Sequence, residues 1–457
     1  MFFNFRKFSN NKYLITNDYG FYSFLNLKQF NNFISGKKIA GKKSFELKDR
    51  QFIANNLDFD YICEISRRKF YLDYKGPRDH IISLTNKCNL KCHYCFANPS
   101  NSADMTKETA QSIVDFILSL PLDKYYIELT GGEPFKNFET MKFLIDYANK
   151  KAEKMFKKIH YSVVSNLTLL NEEHLDYIIK NKISLCVSID ATKSIHNVMR
   201  GGYEKTISNF KKALKKFQQA NIETPNIITT ITRPLLTKEK EIIDNYIELK
   251  INRVQLGILE QMGRAKEEEI WKEIGYDENE YFDFYKRSID YILELNIKKG
   301  LDIYEKGLFL LIHSIFKNHD FESRSVDLFH RFAYDVNGWI YPSDEGRMIG
   351  DRGDFFFKIA NVRKTSFKDI LNSEKFKAIL LYRFKYLVHP SCARCVYAPY
   401  CIIHPYYNYI SQKNVWGNMA INKRCKLFIK IFDMIFKMIE NKNNLRIFEK
   451  WLKLYGN

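Results

Sequence analysis

The stretch "KCNLKCHYCF", residues 87–96, sets thiols at Cys88, Cys92 and Cys95, with gaps of three and two residues between them. Thiolates so spaced bind either zinc or an iron–sulfur cluster. Structural zinc closes its tetrahedron with a fourth cysteine or histidine. His93 is the nearby candidate, and its place between two ligands aims it badly at a shared metal. An iron–sulfur cluster held by three cysteines instead leaves one iron open to a substrate or cofactor. The spacing by itself weighs the two metals evenly.

Just upstream lies "HIISLT" (80–85), a short β-branched run that reads as a buried strand. Further runs follow: "YYIEL" (125–129), "HYSVVS" (160–165), "SLCVSI" (184–189), "NIITTIT" (226–232) and "RVQLGI" (253–258). Amphipathic helical stretches such as "KETAQSIVDFILSL" and "KTISNFKKALKKFQQA" separate most of them. Such alternation predicts a parallel sheet or partial barrel. In these folds chemistry gathers at the carboxyl ends of the strands, and the first cysteine comes three residues after the first run.

Residues 1–76 show another pattern. "KYLITNDYGFYSFL" predicts a hairpin around an Asn-Asp-Tyr-Gly turn, and "NLKQFNNFISG" and "ELKDRQFIANN" then read as helices. Together they suggest a small winged-helix-like module. Residues 263–330 are charged and helical, "DVNGWIYPSDEG" (335–346) reads as a hairpin, and a helical tail closes the chain.

The 457 residues suffice for two or three domains, and 45% apolar and 27% charged residues are ordinary for a soluble globular protein. The start, "MFFNFRKFSNNKYLI", lacks the apolar run of a signal peptide. "LFIKIFDMIFKMI" (427–439) is interrupted by Lys430, Asp433 and Lys437, which makes it an amphipathic helix rather than a membrane span. A cytoplasmic location is expected. In that reducing compartment nine cysteines indicate metal or redox chemistry rather than disulfides. The net charge of +19 suits either an acidic partner or a lysine-rich composition. Because the basic residues are spread along the chain, the second is expected, with neither membrane nor nucleic acid as partner.

After the second run comes "TGGEP" (130–134). Gly131 and Gly132 would allow close backbone approach to a ligand, and Glu133 could hold a cation. Alone, Gly-Gly-Glu-Pro is more often a plain turn.

Together these segments resemble the radical S-adenosylmethionine superfamily. Its Cys-x3-Cys-x-aromatic-Cys loop is matched by Cys88, Cys92, Tyr94 and Cys95, and its Gly-Gly-Glu-Pro motif by Gly131, Gly132, Glu133 and Pro134. The resemblance implies a [4Fe-4S] cluster on the three cysteines, with S-adenosylmethionine as its fourth ligand. It implies that "VVSNLTLL" brings Ser165 and Asn166 to the ribose or methionine, and that Ser188 and Asp190 lie near the ribose. Arg200 would reach the cofactor carboxylate and Gln255 would lie over the adenine.

A second set follows as Cys392-x2-Cys395-x5-Cys401, with Cys425 further on. Bare physics favours structural zinc for four thiolates. In context the set resembles the SPASM extension of peptide- and protein-modifying radical enzymes, which usually holds two auxiliary clusters. Ser343 stands where the family pattern has a cysteine after Gly338, no cysteine lies between Cys186 and Cys392, and Ile402, Ile403, His404 and Pro405 follow Cys401. One auxiliary [4Fe-4S] cluster is therefore expected, with His404 structural. Cys186 reads as core and Cys63 is unplaced.

The expected fold is α/β: a partial (β/α)6 TIM-like barrel (77–320), with the N-terminal module (1–76) as peptide or leader binder. A SPASM/twitch-type auxiliary cluster domain (321–425) and a helical tail (426–457) complete it. "YPSDEGRM" and the N-terminal hairpin are similar to the maturases of His-Xaa-Ser peptide systems, and Asp344 and Glu345 are candidates for a base or substrate contact. The resemblance implies radical hydrogen abstraction from a ribosomally synthesised peptide, then thioether or carbon–carbon crosslinking. A flavodoxin or ferredoxin would supply electrons. Oxidation of a protein side chain, as by a sulfatase maturase, and action on RNA are the alternatives.

Overall fold

The computed structural model describes residues 3–69, 75–96, 103–317, 330–382, 389–401 and 403–455. The N-terminal unit starts with an antiparallel sheet of Phe3–Ser9 (β1), Lys12–Asn17 (β2) and Tyr22–Asn26 (β3) in that order. The expected hairpin is β2–β3, with Gly20 at φ +85° in its turn. Leu27–Ile34 (α1), Lys42–Asp49 (α2) and Phe59–Lys69 (α3) follow, and Asn26 opens α1 with a capping box to Gln29. Leu25, Phe30, Leu47 and Phe52 form the unit's own small core.

The alternation expected from residue 77 onward is present. Asp79–Ser83 (β4) is followed by Lys107–Ser119 (α4), Lys124–Thr130 (β5), Phe138–Lys154 (α5), Lys158–Ser165 (β6) and Glu172–Lys180 (α6). Ser184–Ser188 (β7), Lys193–Met199 (α7), Tyr203–Gln219 (α8), Asn226–Ile231 (β8) and Glu239–Glu248 (α9) continue it. Side-chain alternation fixes the two faces. In β5, Tyr125, Ile127 and Leu129 are buried in the helical layer, while Tyr126, Glu128 and Thr130 take the half-buried inner face. Each fully buried side chain of this size contributes roughly 1.5–3 kcal/mol.

The single run expected at 253–258 is two short strands. Arg253–Val254 (β9) pairs with Tyr304–Glu305 (β11), and Leu256–Ile258 (β10) pairs with β8. Gln255 sits at the break, where its main-chain oxygen accepts from Thr229 N and Tyr246 Oη. Between them lie Glu268–Ile274 (α10) and Glu278–Lys299 (α11), the second opened by an Asp277–Glu280 capping box, and after β11 comes Lys306–Phe316 (α12).

The C-terminal hairpin, Arg331–Tyr334 (β12) and Trp339–Tyr341 (β13), adds Ala360–Asn361 (β14) and joins the barrel sheet through parallel pairing of β12 with β4. One nine-stranded sheet results, in the order β10-β8-β7-β6-β5-β4-β12-β13-β14. The expected boundary at 320/321 falls outside the described residues, and the sheet runs across the two regions it would divide.

After β13 come Asp344–Gly350 (α13), Phe367–Asn372 (α14), Glu374–Leu381 (α15), Pro390–Ala393 (α16) and Pro405–Gln412 (α17). The tail is Lys423–Ile439 (α18) and Lys442–Tyr455 (α19). It is part of the core: Trp451 is fully buried beside Phe448 and Tyr304, and Tyr455 Oη donates to Asp302 O at 3.1 Å. Among the described residues no helix is long and apolar enough to cross a membrane.

Candidate active site and auxiliary thiol cavity

Cys88, Cys92 and Cys95 follow the carboxyl end of β4, each half-buried and outside any disulfide. The loop holds its own shape: Cys95 N donates to Cys92 O at 3.2 Å and Leu90 N to Cys88 Sγ at 3.4 Å. Arg264 clamps it from the far side of the barrel, its main-chain N donating to Cys95 O at 3.0 Å and its Nη1 to Lys91 O and Cys92 O. Gly263 makes that clamp possible, for a Cβ there would meet Cys95 O at 2.2 Å.

Burial pushes the Cys92 thiol up to about 11 and raises Cys88, and the charge of the neighbouring thiols adds to both shifts. Three thiols that oppose one another's ionisation need a cationic group to be thiolates together. That donor chemistry fits an iron–sulfur cluster.

The turn after β5 packs on this loop. Gly132 N donates to Thr85 O at 2.7 Å and Glu133 N to Lys87 O at 2.9 Å. A Cβ on Gly131 would lie 2.3 Å from Thr85 O, and one on Gly132 2.3 Å from Lys87 O. The close approach expected of these glycines is thus made to the chain's own backbone. Pro134 is buried and begins the short 3-10 turn that leads into α5.

Glu133, whose carboxylate the sequence offers to a cation, is fully buried. It accepts from Ser165 Oγ at 2.7 Å, Asn166 N at 2.9 Å and Phe135 N at 3.3 Å. Burial pushes its carboxyl up to about 7, against the pull of those donors. Ser165 also accepts from Leu167 N at 2.8 Å. Asn166 reaches Asn89 Oδ1 at 3.2 Å and Cys88 Sγ at 4.0 Å. Glu133, Ser165 and Asn166 therefore form a frame that sets the first cysteine.

Tyr94, Asp190 and Arg200 form a second frame. Asp190 Oδ2 accepts from Tyr94 Oη and from Arg200 Nε at 2.8 Å, and its Oδ1 accepts from Thr230 N at 3.0 Å. Arg200 lies over the Tyr94 ring, 5.0 Å from its centroid, and its Nη2 donates to Thr230 Oγ1 at 3.3 Å. Its charge also lowers Cys92 against the larger effect of burial. Ser188 ends β7 half-buried on the inner face. Gln255 lies farther along, its Oε1 accepting from Lys306 Nζ at 3.3 Å.

The inside of the barrel carries charges that the sequence reading missed. Glu128 and Arg331 line a cavity of about 260 Å³ with Asp79, Tyr126 and Ser162. Burial raises Glu128 and lowers the nearby Lys306. Glu128 was visible as an acid in a β-rich run, but its inward aim depends on register. Cys186, expected in the core, faces this polar interior beside Lys306, and burial pushes its thiol up to about 11. Cys63 is exposed on α3.

The second thiol set converges. Cys392, Cys395, Cys401 and Cys425 all line one cavity of about 240 Å³, walled by Tyr397, Phe428, Phe432 and Met419. Four thiols lining one space are a donor set whose chemistry suits an iron–sulfur cluster or a metal ion. Cys425 lies in the first turn of α18, capped by Asn422. His404 is outside this cavity and stacks on Tyr406 at 4.9 Å. Ile402 lies outside the described residues. Ser343 caps α13, accepting from Gly346 N at 3.0 Å. Asp344 is held by Arg347 at 2.7 Å, whereas the carboxyl of Glu345, raised by burial, faces Arg331.

Residues 82–233 match the radical SAM superfamily and residues 329–396 the SPASM iron-sulfur cluster-binding domain. An uncharacterized protein of Methanocaldococcus jannaschii is 30% identical over 40% of this chain and 63% of its own length. The radical SAM cyclopropyl synthase TigE of Paramaledivibacter caminithermalis is 24% identical over 65% of this chain and 59% of its own. The chain thus spans less than two thirds of both. A cysteine-type anaerobic sulfatase-maturating enzyme of Clostridium perfringens is 23% identical over 79% of this chain and 96% of its own. Among solved structures, native anSMEcpe with bound AdoMet and Cp18Cys peptide superposes with a TM-score of 0.65 at 20% identity, covering 80% of this chain and 99% of that one. Streptococcus suis SuiB bound to precursor peptide SuiA gives 0.56 at 16%, covering 91% and 97%. The fold is shared with both, S-adenosylmethionine and [4Fe-4S] clusters are the cofactors these domains imply, and the chain carries a radical SAM domain over residues 82–233 followed by a SPASM iron–sulfur cluster-binding domain over 329–396.

Proposed function

We propose that this protein modifies a ribosomally synthesised peptide by radical S-adenosylmethionine chemistry, forming a thioether or carbon–carbon crosslink. Cys88, Cys92 and Cys95 hold the cluster that binds S-adenosylmethionine. Cys392, Cys395, Cys401 and Cys425 hold one auxiliary [4Fe-4S] cluster. The observation that carries this reading is the coexistence of two unlike thiol sites, one with three thiols at a strand end and one with four around a cavity. SuiB, which shares the fold, was solved with its precursor peptide.

When bound, S-adenosylmethionine and its cluster supply the hydrogen-atom abstraction. The chain's own part is to position and to shield. Glu133 fixes the ends of β5 and β6 against the cysteine loop. Asp190 holds Arg200 over Tyr94, keeping one cation beside Cys92. Glu128, Lys306, Arg331 and Glu345 offer polar groups to a substrate inside the barrel. The N-terminal module binds the peptide's leader by strand addition at β1, an edge strand. A flavodoxin or ferredoxin supplies electrons, in the cytoplasm.

The test is co-expression with small reading frames beside the gene, a His-Xaa-Ser-type precursor among them, followed by mass spectrometry. Loss of a hydrogen pair from one peptide is expected, and an unaltered set of peptides would refute the crosslinking reading. Leader binding is read separately by anisotropy of a labelled leader titrated with the full chain. A second reading, oxidation of a protein side chain, is favoured by the near-complete coverage of the sulfatase-maturating enzyme. It predicts turnover of a sulfatase-derived peptide and none of the neighbouring frames.

A further inference from the structure

The N-terminal module touches the segments that carry the auxiliary thiols. Asn4 Nδ2 donates to Cys395 O at 3.3 Å and Thr16 Oγ1 to Val396 O at 2.7 Å. In return Tyr400 Oη donates to Gly20 O at 2.9 Å. Arg6, on β1, lies 5.8 Å from the centroid of the Tyr397 ring and donates to Asp433 Oδ2 at 2.9 Å. The other Asp433 oxygen accepts from Tyr397 Oη. Tyr397 is part of the thiol cavity wall, and Asp433 is on α18, the helix that carries Cys425. Tyr22 and Phe24 of β3 extend the same contact, packing edge-on against Phe436 of α18 at 5.2 and 6.2 Å.

The potential of an iron–sulfur cluster follows the charge, hydrogen bonding and solvent exposure around it. The module supplies all three here. Its hydrogen bonds fix the main chain of one thiol residue, its aromatic rings cover α18, and Arg6 balances Asp433. Without Arg6, Asp433 would stand as an uncompensated anion bonded to a residue of the cavity wall.

We infer that the N-terminal module is a wall of the auxiliary-cluster site, and that Arg6, acting through Asp433 and Tyr397, is a positioning residue that sets that cluster's reduction potential. This rests on the reading that Cys392, Cys395, Cys401 and Cys425 hold a cluster. One consequence is that removal of residues 1–75 strips auxiliary iron as well as leader binding, so truncation cannot isolate the module's role in peptide capture.

The test uses the full chain with Cys88→Ala, Cys92→Ala and Cys95→Ala, which leaves only the auxiliary thiols. Its midpoint potential is read by a redox titration followed by electron paramagnetic resonance. Arg6→Gln should move the midpoint to a more negative value, Asp433→Asn to a more positive one, and Arg6→Lys should restore the original. Arg6 is 42% exposed and its ion pair adds little to stability, so these variants should keep the melting temperature. The same variants titrated in the two-cluster chain serve if the triple substitution impairs folding. An unmoved midpoint with full iron in Arg6→Gln overturns the inference. Iron lost in Arg6→Gln and kept in Arg6→Lys supports it. A triple-substituted chain that folds and holds no iron overturns instead the assignment of the four thiols.

Discussion

The three-thiol loop is held by buried charge, whereas the four-thiol cavity is held by aromatic packing. Around Cys88–Cys95 the fixing groups are carboxylates at the ends of neighbouring strands, Glu133 and Asp190, each fully buried and each serving several donors. Around Cys392–Cys425 they are Tyr397, Phe428 and Phe432, with the N-terminal module behind. The difference suits the tasks proposed for the two sites. A reactive centre needs groups fixed to within fractions of an ångström, which a buried hydrogen-bonded frame provides. A closed centre needs water kept out and four ligands brought together, which apolar packing provides.

The largest effects should come from the thiols themselves. Cys95→Ala is expected to abolish cleavage of S-adenosylmethionine, read as 5′-deoxyadenosine by chromatography. Cys425→Ala should retain part of that cleavage and lose peptide modification; equal total loss in both would erase the distinction between a reactive and a closed site. Iron analysis of the intact chain should give about eight iron per chain, and about four in either variant set. Zinc in the purified protein would break the comparison outright.

Asp190→Asn comes next. It leaves Arg200 buried without its counter-charge, which should cost about 3 kcal/mol by thermal or denaturant unfolding. Iron at the four-thiol cavity should stay, since that site shares no group with Asp190.

Glu133→Gln should cost roughly 1–3 kcal/mol, because an amide cannot accept from all the donors that the carboxylate serves. A pH profile sharpens this. The Glu133 carboxyl is near 7 folded, above its ordinary 4.5, so between those values the folded metal-free chain holds the extra proton. Its contribution is fully present below about pH 4.5 and is lost as pH rises through about 7. Glu133→Gln should remove that part of the slope. An unchanged slope would show that the frame is ionised throughout.

The smallest effect is expected from Arg264→Ala, which deletes the hydrogen bonds to Lys91 O and Cys92 O at the rim of the first loop. About 1 kcal/mol is expected, with lower iron occupancy in a chain carrying Cys392→Ala and Cys425→Ala. Full occupancy there would show that the main-chain bond to Cys95 O suffices.

Much of this was legible locally. Two short motifs, Cys88–Cys95 and Gly131–Pro134, sit at consecutive strand ends, and the strand–helix alternation around them is enough to place both on one rim. Glu133, Ser165, Asn166, Asp190 and Arg200 stand out in the sequence through three separate segments whose resemblance implies contacts with S-adenosylmethionine. The structure shows that they bind one another and the cysteine loop. Residue type revealed that these positions are polar and at strand ends; partner choice depends on distances between strands far apart in sequence.

The sequence by itself determined the strand–helix alternation and the two thiol sets, because each is written in local periodicity and spacing. Tertiary structure alone decided that β12 extends the barrel sheet beside β4, that Glu128, Lys306 and Arg331 share the barrel interior, and that Arg6 reaches the wall of the auxiliary cavity. Those are contacts across hundreds of residues. They are fixed by sheet register and by which faces must be buried, and no local pattern encodes either.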